Sequence, residues 1–186
     1  MRAIAGAAIG VIGKAGIEGM RLRDVAKAAA VTTGAVTHYF DSKDAVLEAA
    51  LDEVVRRLLD AQRESRTTGR DLTRVAAAFL PNGEAGRRDW KVWFAFWARA
   101  MADTRLRRKH QAAYAAFTAN TVRWVRELQR TGLAHPKGDP VAMADAVMAV
   151  VDGLGIRVSL EPEDWPEKRQ LKTLRAAVVP ILQAAP

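Results

Sequence analysis

The stretch Leu22-Arg-Asp-Val-Ala-Lys-Ala-Ala-Ala-Val-Thr-Thr-Gly-Ala-Val-Thr-His-Tyr-Phe40 decides how this chain folds. Its apolar residues Val25, Ala29, Val31, Val36 and Tyr39 are spaced so that two short helices bury one shared wedge. The first would run from Leu22 to Ala29 and the second from about Thr33 to Tyr39. Ala26 is small where the second helix must cross the first closely. Thr32 stands where it can cap the second helix, which leaves Thr33, Thr37 and His38 off the buried side. This describes a helix-turn-helix, whose second helix enters the DNA major groove by its N-terminal residues. An ordinary helical hairpin in an all-α core would explain the apolar spacing. It would not explain a small polar outer face flanked by basic residues.

Outward from this motif the pattern stays helical, and no long stretch alternates with the period of two that a half-buried strand needs. A first helix, with Ile4, Ala8, Val11, Ile12 and Ala15 on one stripe, runs to about Lys14 and stops at Gly16 and Gly19. Asp41-Ser42 offers the N-cap of a long helix whose stripe is Val46, Leu47, Ala50, Leu51, Val54, Leu58 and Leu59. That helix should dissolve in the polar run Glu64 to Arg70, with Thr67-Thr68-Gly69 as the best linker. Further helices are expected over Leu72 to Leu80, Arg87 to about Ala102, and about Thr104 to Arg130. Asp139-Pro140 opens another, and Glu167 to about Gln183 is the last. From Val141 to Leu154 only Asp145 and Asp152 interrupt the apolar residues, so that helix is covered all round, by its own core or by a second subunit.

Composition narrows the function. The 186 residues are 49% hydrophobic and 27% charged, enough for a core and for solubility. Lysine plus arginine exceeds aspartate plus glutamate, 29 − 21, and the net charge of +8 favours a polyanionic partner. There is no cysteine, and His38, His110 and His135 never fall at ligand spacing, so neither a metal nor another cofactor is expected. The apolar N-terminal stretch is shorter than the ~20 residues of a membrane span and lacks a cleavage site, so the cytoplasm is the expected location. Gly13-Lys14 lacks the following Ser or Thr of a phosphate loop, and Gly153-x-Gly155 lacks both the third glycine and a preceding strand. Ser42, Ser65 and Ser159 have no glycine-flanked elbow. An enzyme is therefore not expected, although a small helical enzyme or ligand carrier with a helix-turn-helix-like hairpin is the other class in play.

Met20 to Leu47, with Arg23-Asp-Val-Ala, Val31-Thr-Thr-Gly and His38-Tyr-Phe-Asp-Ser-Lys43, resembles the DNA-binding domain of the TetR family of bacterial repressors. Trp93-Phe-Ala-Phe-Trp-Ala98, Leu106 to His110 and Val151-Asp-Gly-Leu154 look like the BetI-type version of its C-terminal domain. The resemblance implies an all-α chain. Residues 1–46 would form a three-helix DNA-binding domain, and 47–186 a helical ligand-binding and dimerisation domain. Position by position, Thr32, Thr33 and Gly34 match the start of the family's recognition helix. Thr37, His38 and Tyr39 match its groove-contact run, and Lys43 its phosphate-binding lysine. Arg21 replaces a usual Thr and is expected on phosphate. Ala30 stands where the family usually has Gly, so a left-handed backbone there would cost ~1 kcal/mol.

The expected activity is that of a ligand-responsive repressor, a homodimer on a palindromic operator in double-stranded DNA, released by a small-molecule effector. Trp90, Trp93 and Trp97 share a helical face, and with Tyr114, Phe117 and Trp124 they are the candidate ligand residues. For each a core role competes with a pocket role, since large aromatics with one polar edge serve both. The basic run Arg105, Arg107, Arg108 and Lys109 is either a solvated helix start or a patch facing the DNA domain.

Overall fold

The structure, a computed structural model, describes residues 1–68 and 76–184. Among these are eight helices and no strand: α1 Arg2–Gly19, α2 Leu22–Ala28, α3 Thr33–Tyr39, α4 Lys43–Thr68, α5 Gly83–Ala100, α6 Thr104–Arg130, α7 Pro140–Leu160 and α8 Glu167–Gln183. The all-α expectation holds. Two compact units divide the residues, one made of Met1–Arg57 and Gly83–Gln111, the other of the remainder. Helices α4 and α6 give residues to both.

One helix start differs from the sequence reading, and one expected helix lies partly outside the described residues. Helix α4 ends at Thr68, inside the expected polar run Glu64 to Arg70, and strong helix formers such as Arg63 and Glu64 carry it into that run. Helix α5 begins at Gly83, earlier than Arg87. The expected helix Leu72 to Leu80 lies outside the described residues as far as residue 75, as does Gly69 of the linker.

In the first unit, Ile4, Ala5, Ala8, Ile9 and Ile12 of α1 are buried, while Val11 is half-buried and Ala15 exposed, so the stripe is rotated from the expected one. Gly16, at φ 69°, breaks the helix as its position suggested. In the wedge beneath the helix-turn-helix Val25 and Val36 are buried as expected, but Ala26 and Phe40 complete it, and Ala29 is only half-buried. Tyr39 is 50% exposed and Val31 38% exposed. At about 100° per residue, Phe40 returns closer to the azimuth of Val36 than Tyr39 does.

Between α2 and α3 the chain reverses through Ala30, at φ 55°, where Cβ meets the carbonyl in a left-handed backbone. Ala30→Gly should therefore raise the unfolding free energy by about 1 kcal/mol, read by denaturant titration. An unchanged midpoint would show that the turn carries no strain.

In the second unit, α7 buries Met143, Ala144, Val147, Met148, Val151, Leu154 and Val158 on one side. Its other side, Val141, Ala142, Asp145, Ala149, Gly153, Ile156 and Leu160, is exposed, so the protomer covers only half of this apolar helix. Helix α8 buries Gln170, Leu174, Val178 and Leu182, a stripe with a four-residue step. Trp165 closes the corner between the two helices. Its ring lies under the guanidinium of Arg169 at 4.2 Å and of Arg157 at 5.0 Å, and its N–H donates to Glu161 at 3.0 Å.

Candidate functional site

Helix α3 has seven residues, too few to be stable alone, and is held by its cap and its buried face. Thr32 Oγ1 accepts the Ala35 N–H at 3.1 Å, so the expected N-cap is formed. Val36 is fully buried, while Thr33, Gly34, Thr37, His38 and Tyr39 are exposed. The Thr37 hydroxyl donates to the carbonyls of Thr33 and Gly34, both at 3.2 Å, which leaves its oxygen lone pairs and methyl for an outside partner. His38 and Tyr39 meet edge to face at 5.1 Å. The exposed face of α3 thus offers small hydroxyls, an imidazole and a phenol on one short rod.

Two cations flank the motif along the chain. Arg21, immediately before α2, is exposed. Lys43 opens α4, where the helix dipole disfavours a cation. Its Nζ donates to the Glu18 carbonyl at 2.8 Å, so the C-terminal end of α1 supplies the negative pole that α4 does not. Ser42 Oγ accepts the Ala45 N–H at 3.1 Å and caps α4 as expected.

The six aromatic candidates divide between the units. Trp90, Trp93 and Trp97 come together in the first, with Trp97 6.0 Å from Trp90 and 5.9 Å from Trp93. Phe94 and His110 complete this cluster, His110 lying edge-on to Trp93 and Trp97 at 6.4 Å. Burial holds the His110 imidazole below its ordinary pKa and favours the neutral ring. Tyr114, Phe117 and Trp124 belong to the second unit, where Phe117 packs edge-on against Tyr114 at 6.3 Å and Phe79 at 5.9 Å. Phe117 and Trp124 are buried.

Composition and spacing did not single out Asp152. Its carboxylate accepts the Tyr114 hydroxyl at 2.9 Å. Burial pushes its pKa up to about 6, against which that hydrogen bond works. Burial also raises the Tyr114 phenol, with the Asp152 charge adding to it. Among the described residues no ion pair involves Asp152. The signal in the sequence was a carboxylate interrupting an otherwise apolar helix. Further along α6 the buried Thr121 hydroxyl donates to the Phe117 carbonyl at 3.0 Å.

The basic run is not one surface patch: Arg105 and Lys109 pair with carboxylates of α4, Arg107 turns back onto α5, and Arg108 is exposed. A separate apolar groove of about 350 Å³ in the second unit is lined by Gly138, Asp139, Ala142, Met143, Ala146, Ile181 and Ala184. It contains none of the candidate ligand residues.

Comparison with known proteins agrees with this arrangement. Residues 4–50 match the sequence model of "Bacterial regulatory proteins, tetR family", and residues 68–183 that of "BetI-type transcriptional repressor, C-terminal". The HTH-type transcriptional regulator BetI of Burkholderia mallei (strain NCTC 10229) is 32% identical over 166 residues, covering 87% of this chain and 82% of that protein. A solved transcriptional regulator from Rhodococcus sp. Rha1 is 28% identical, with a TM-score of 0.81, 99% of this chain and 98% of that one covered. A regulator from Saccharomonospora viridis, solved in complex with choline, shares the fold at 24% identity and a TM-score of 0.81, covering 94% and 93% of the two chains.

Proposed function

The chain belongs to the tetR family of bacterial regulatory proteins, with a BetI-type C-terminal domain, and from that premise we propose how it performs DNA-binding transcriptional repression. Residues 1–46 read the operator and residues 47–186 carry the effector site and the dimer surface. The observation that carries the reading is the exposed polar face of α3, capped by Thr32 and anchored from behind by Val36. Thr33, Gly34, Thr37, His38 and Tyr39 lie against base edges, whereas Arg21 and Lys43 neutralise phosphate.

The apolar outer side of α7, together with α8, forms the interface of a symmetric dimer burying roughly 2,000 Å² or more in total. Two copies of α3 then read an inverted repeat with half-sites about 34–36 Å apart.

The effector is a small cation. Support comes from the Asp152 carboxylate, which is half-buried, accepts the Tyr114 phenol and, among the described residues, is in no ion pair. A quaternary ammonium is attracted by aromatic ring faces and by a carboxylate's charge, and the Saccharomonospora viridis regulator was solved in complex with choline. Tyr114, Phe117 and Trp124, all in the second unit, are assigned to the cation's methyl groups, and Trp90, Trp93 and Trp97 cluster by themselves in the first unit. The effector favours a dimer whose reading heads are spaced wrongly for the operator, and α4 is the lever.

Equilibrium binding over a range of salt tests the DNA roles. Lys43→Ala or Arg21→Ala should weaken all sequences alike and flatten the salt dependence by about one unit each. Thr33→Ala or Thr37→Ala should instead change which half-site is preferred. A lysine variant that altered base preference at an unchanged salt slope would overturn these assignments.

A further inference from the structure

Asp44, Glu48 and Asp52 recur every four residues along α4 and therefore share one face. Three cations from the end of α5 and the start of α6 meet that face. Arg99 lies 3.0 Å from Asp44 and 2.6 Å from Glu18, at the end of α1. Arg105 pairs with Glu48, and Lys109 lies 2.8 Å from Asp52 and 3.6 Å from Glu48. Only 17% of the Glu48 side chain is exposed, so salt screens its pairs less than it screens surface ones.

The turn that presents these cations is itself fixed. Arg107 donates to the carbonyls of Ala100 at 3.3 Å and Met101 at 2.7 Å. Asp103 accepts the N–H groups of Arg105 at 2.7 Å and Leu106 at 3.2 Å, capping α6. Glu18 is held twice, its carboxylate by Arg99 and its carbonyl by Lys43. The chain leaves α1 at that point, forms α2 and α3, and returns at Lys43.

We propose that Arg99, Arg105 and Lys109 are positioning residues for operator binding. They act through the acidic face of α4 and the end of α1, fixing the two points from which the reading helices are suspended, and they do not contact DNA. The inference rests on α3 reading DNA, as proposed. Helix α6, which starts in this clamp, also carries Tyr114 and Phe117, so the clamp lies on the helix that holds the effector residues.

The sign of charge separates positioning from attraction. Cations that merely attract DNA leave their acidic partners as repulsive charges, and neutralising Glu48 then strengthens binding. In a clamp, neutralising either partner weakens it. The test uses the full chain and an operator fragment selected from genomic DNA, titrated at several salt concentrations. Arg105→Gln and Glu48→Gln should each weaken binding by about fivefold with the salt slope unchanged. The double variant should be no worse than the weaker single one, and the exchange Glu48→Arg with Arg105→Glu should restore affinity to within about twofold. Asp52→Asn, at a side chain 64% exposed, repeats the sign test without touching a buried group. Tighter or unchanged binding by Glu48→Gln and Asp52→Asn, with a slope flattened by about one in Arg105→Gln, would overturn the clamp and make Arg105 a phosphate contact. A wild-type chain that selects no fragment would instead overturn the DNA reading itself.

Discussion

Gly153→Leu should convert the protein to a monomer and weaken operator binding by on the order of a hundredfold, because two half-sites are no longer engaged by one linked pair of reading heads. Gly153 is exposed on α7, and a Cβ there meets nothing within 4 Å in its own protomer. The protomer is therefore not harmed. Replacing a mid-helix glycine by leucine should even raise its stability by up to ~1 kcal/mol. Ala142, Ala146 and Ala149 continue the same outer side, so a partner helix can approach closely there. Sedimentation at micromolar concentration reads the first effect and DNA titration the second. A Gly153→Leu chain that remained dimeric with unchanged affinity would place the interface elsewhere.

The second large effect concerns Asp152. Choline, used as the probe, should bind the wild-type chain and alter its tryptophan fluorescence, and Asp152→Asn should weaken it by about tenfold or more. Operator affinity in the absence of probe should not change, since asparagine still accepts the Tyr114 hydroxyl. Protonation gives an independent check. With a pKa of about 6, Asp152 is mostly ionised at neutral pH and mostly neutral a unit or more below 6. Affinity for the cation should therefore fall about tenfold between pH 7 and pH 5 in the wild type and stay flat in Asp152→Asn. Stability moves in the opposite sense. A carboxyl whose folded pKa is raised binds more protons folded than unfolded, so its burial costs stability above pH 6, and that cost is relieved as pH falls toward the ordinary carboxylate range. If choline bound equally well to both chains at both pH values, Asp152 would not be the counter-charge. For release, a hundredfold loss of operator affinity requires about 2.7 kcal/mol of coupling, and operator DNA must weaken the probe by the same factor.

The residues that were legible in the sequence are those whose roles are local. Thr32 and Ser42 are legible as N-caps because a cap is decided within four residues, and each accepts the expected backbone N–H. The strain at Ala30 was legible for the same reason. Tyr39 and Val31 were misread because spacing in a seven-residue helix fixes its buried azimuth only loosely, and Phe40 competes for the same wedge. Asp152 was visible only as an interruption, since its meaning depends on Tyr114, which is 38 residues away along the chain. The clamp escaped notice because Arg105 and Lys109 acquire partners only when α6 packs against α4. Charge in sequence has a sign but no address. The six aromatics looked like one group by proximity along the chain, yet α5 and the later part of α6 pack into different units.

The measurement that bears most directly on the DNA-reading role of α3 is selection of genomic fragments by the full chain, run in parallel with Thr37→Ala. Wild type should recover fragments sharing one inverted repeat whose half-sites are about one helical turn apart, and Thr37→Ala should recover a repeat with altered bases in each half-site. Recovery of unrelated fragments by both chains, with affinity set only by length and salt, would contradict a reading head in α3 and leave a basic helical protein that binds DNA without reading it.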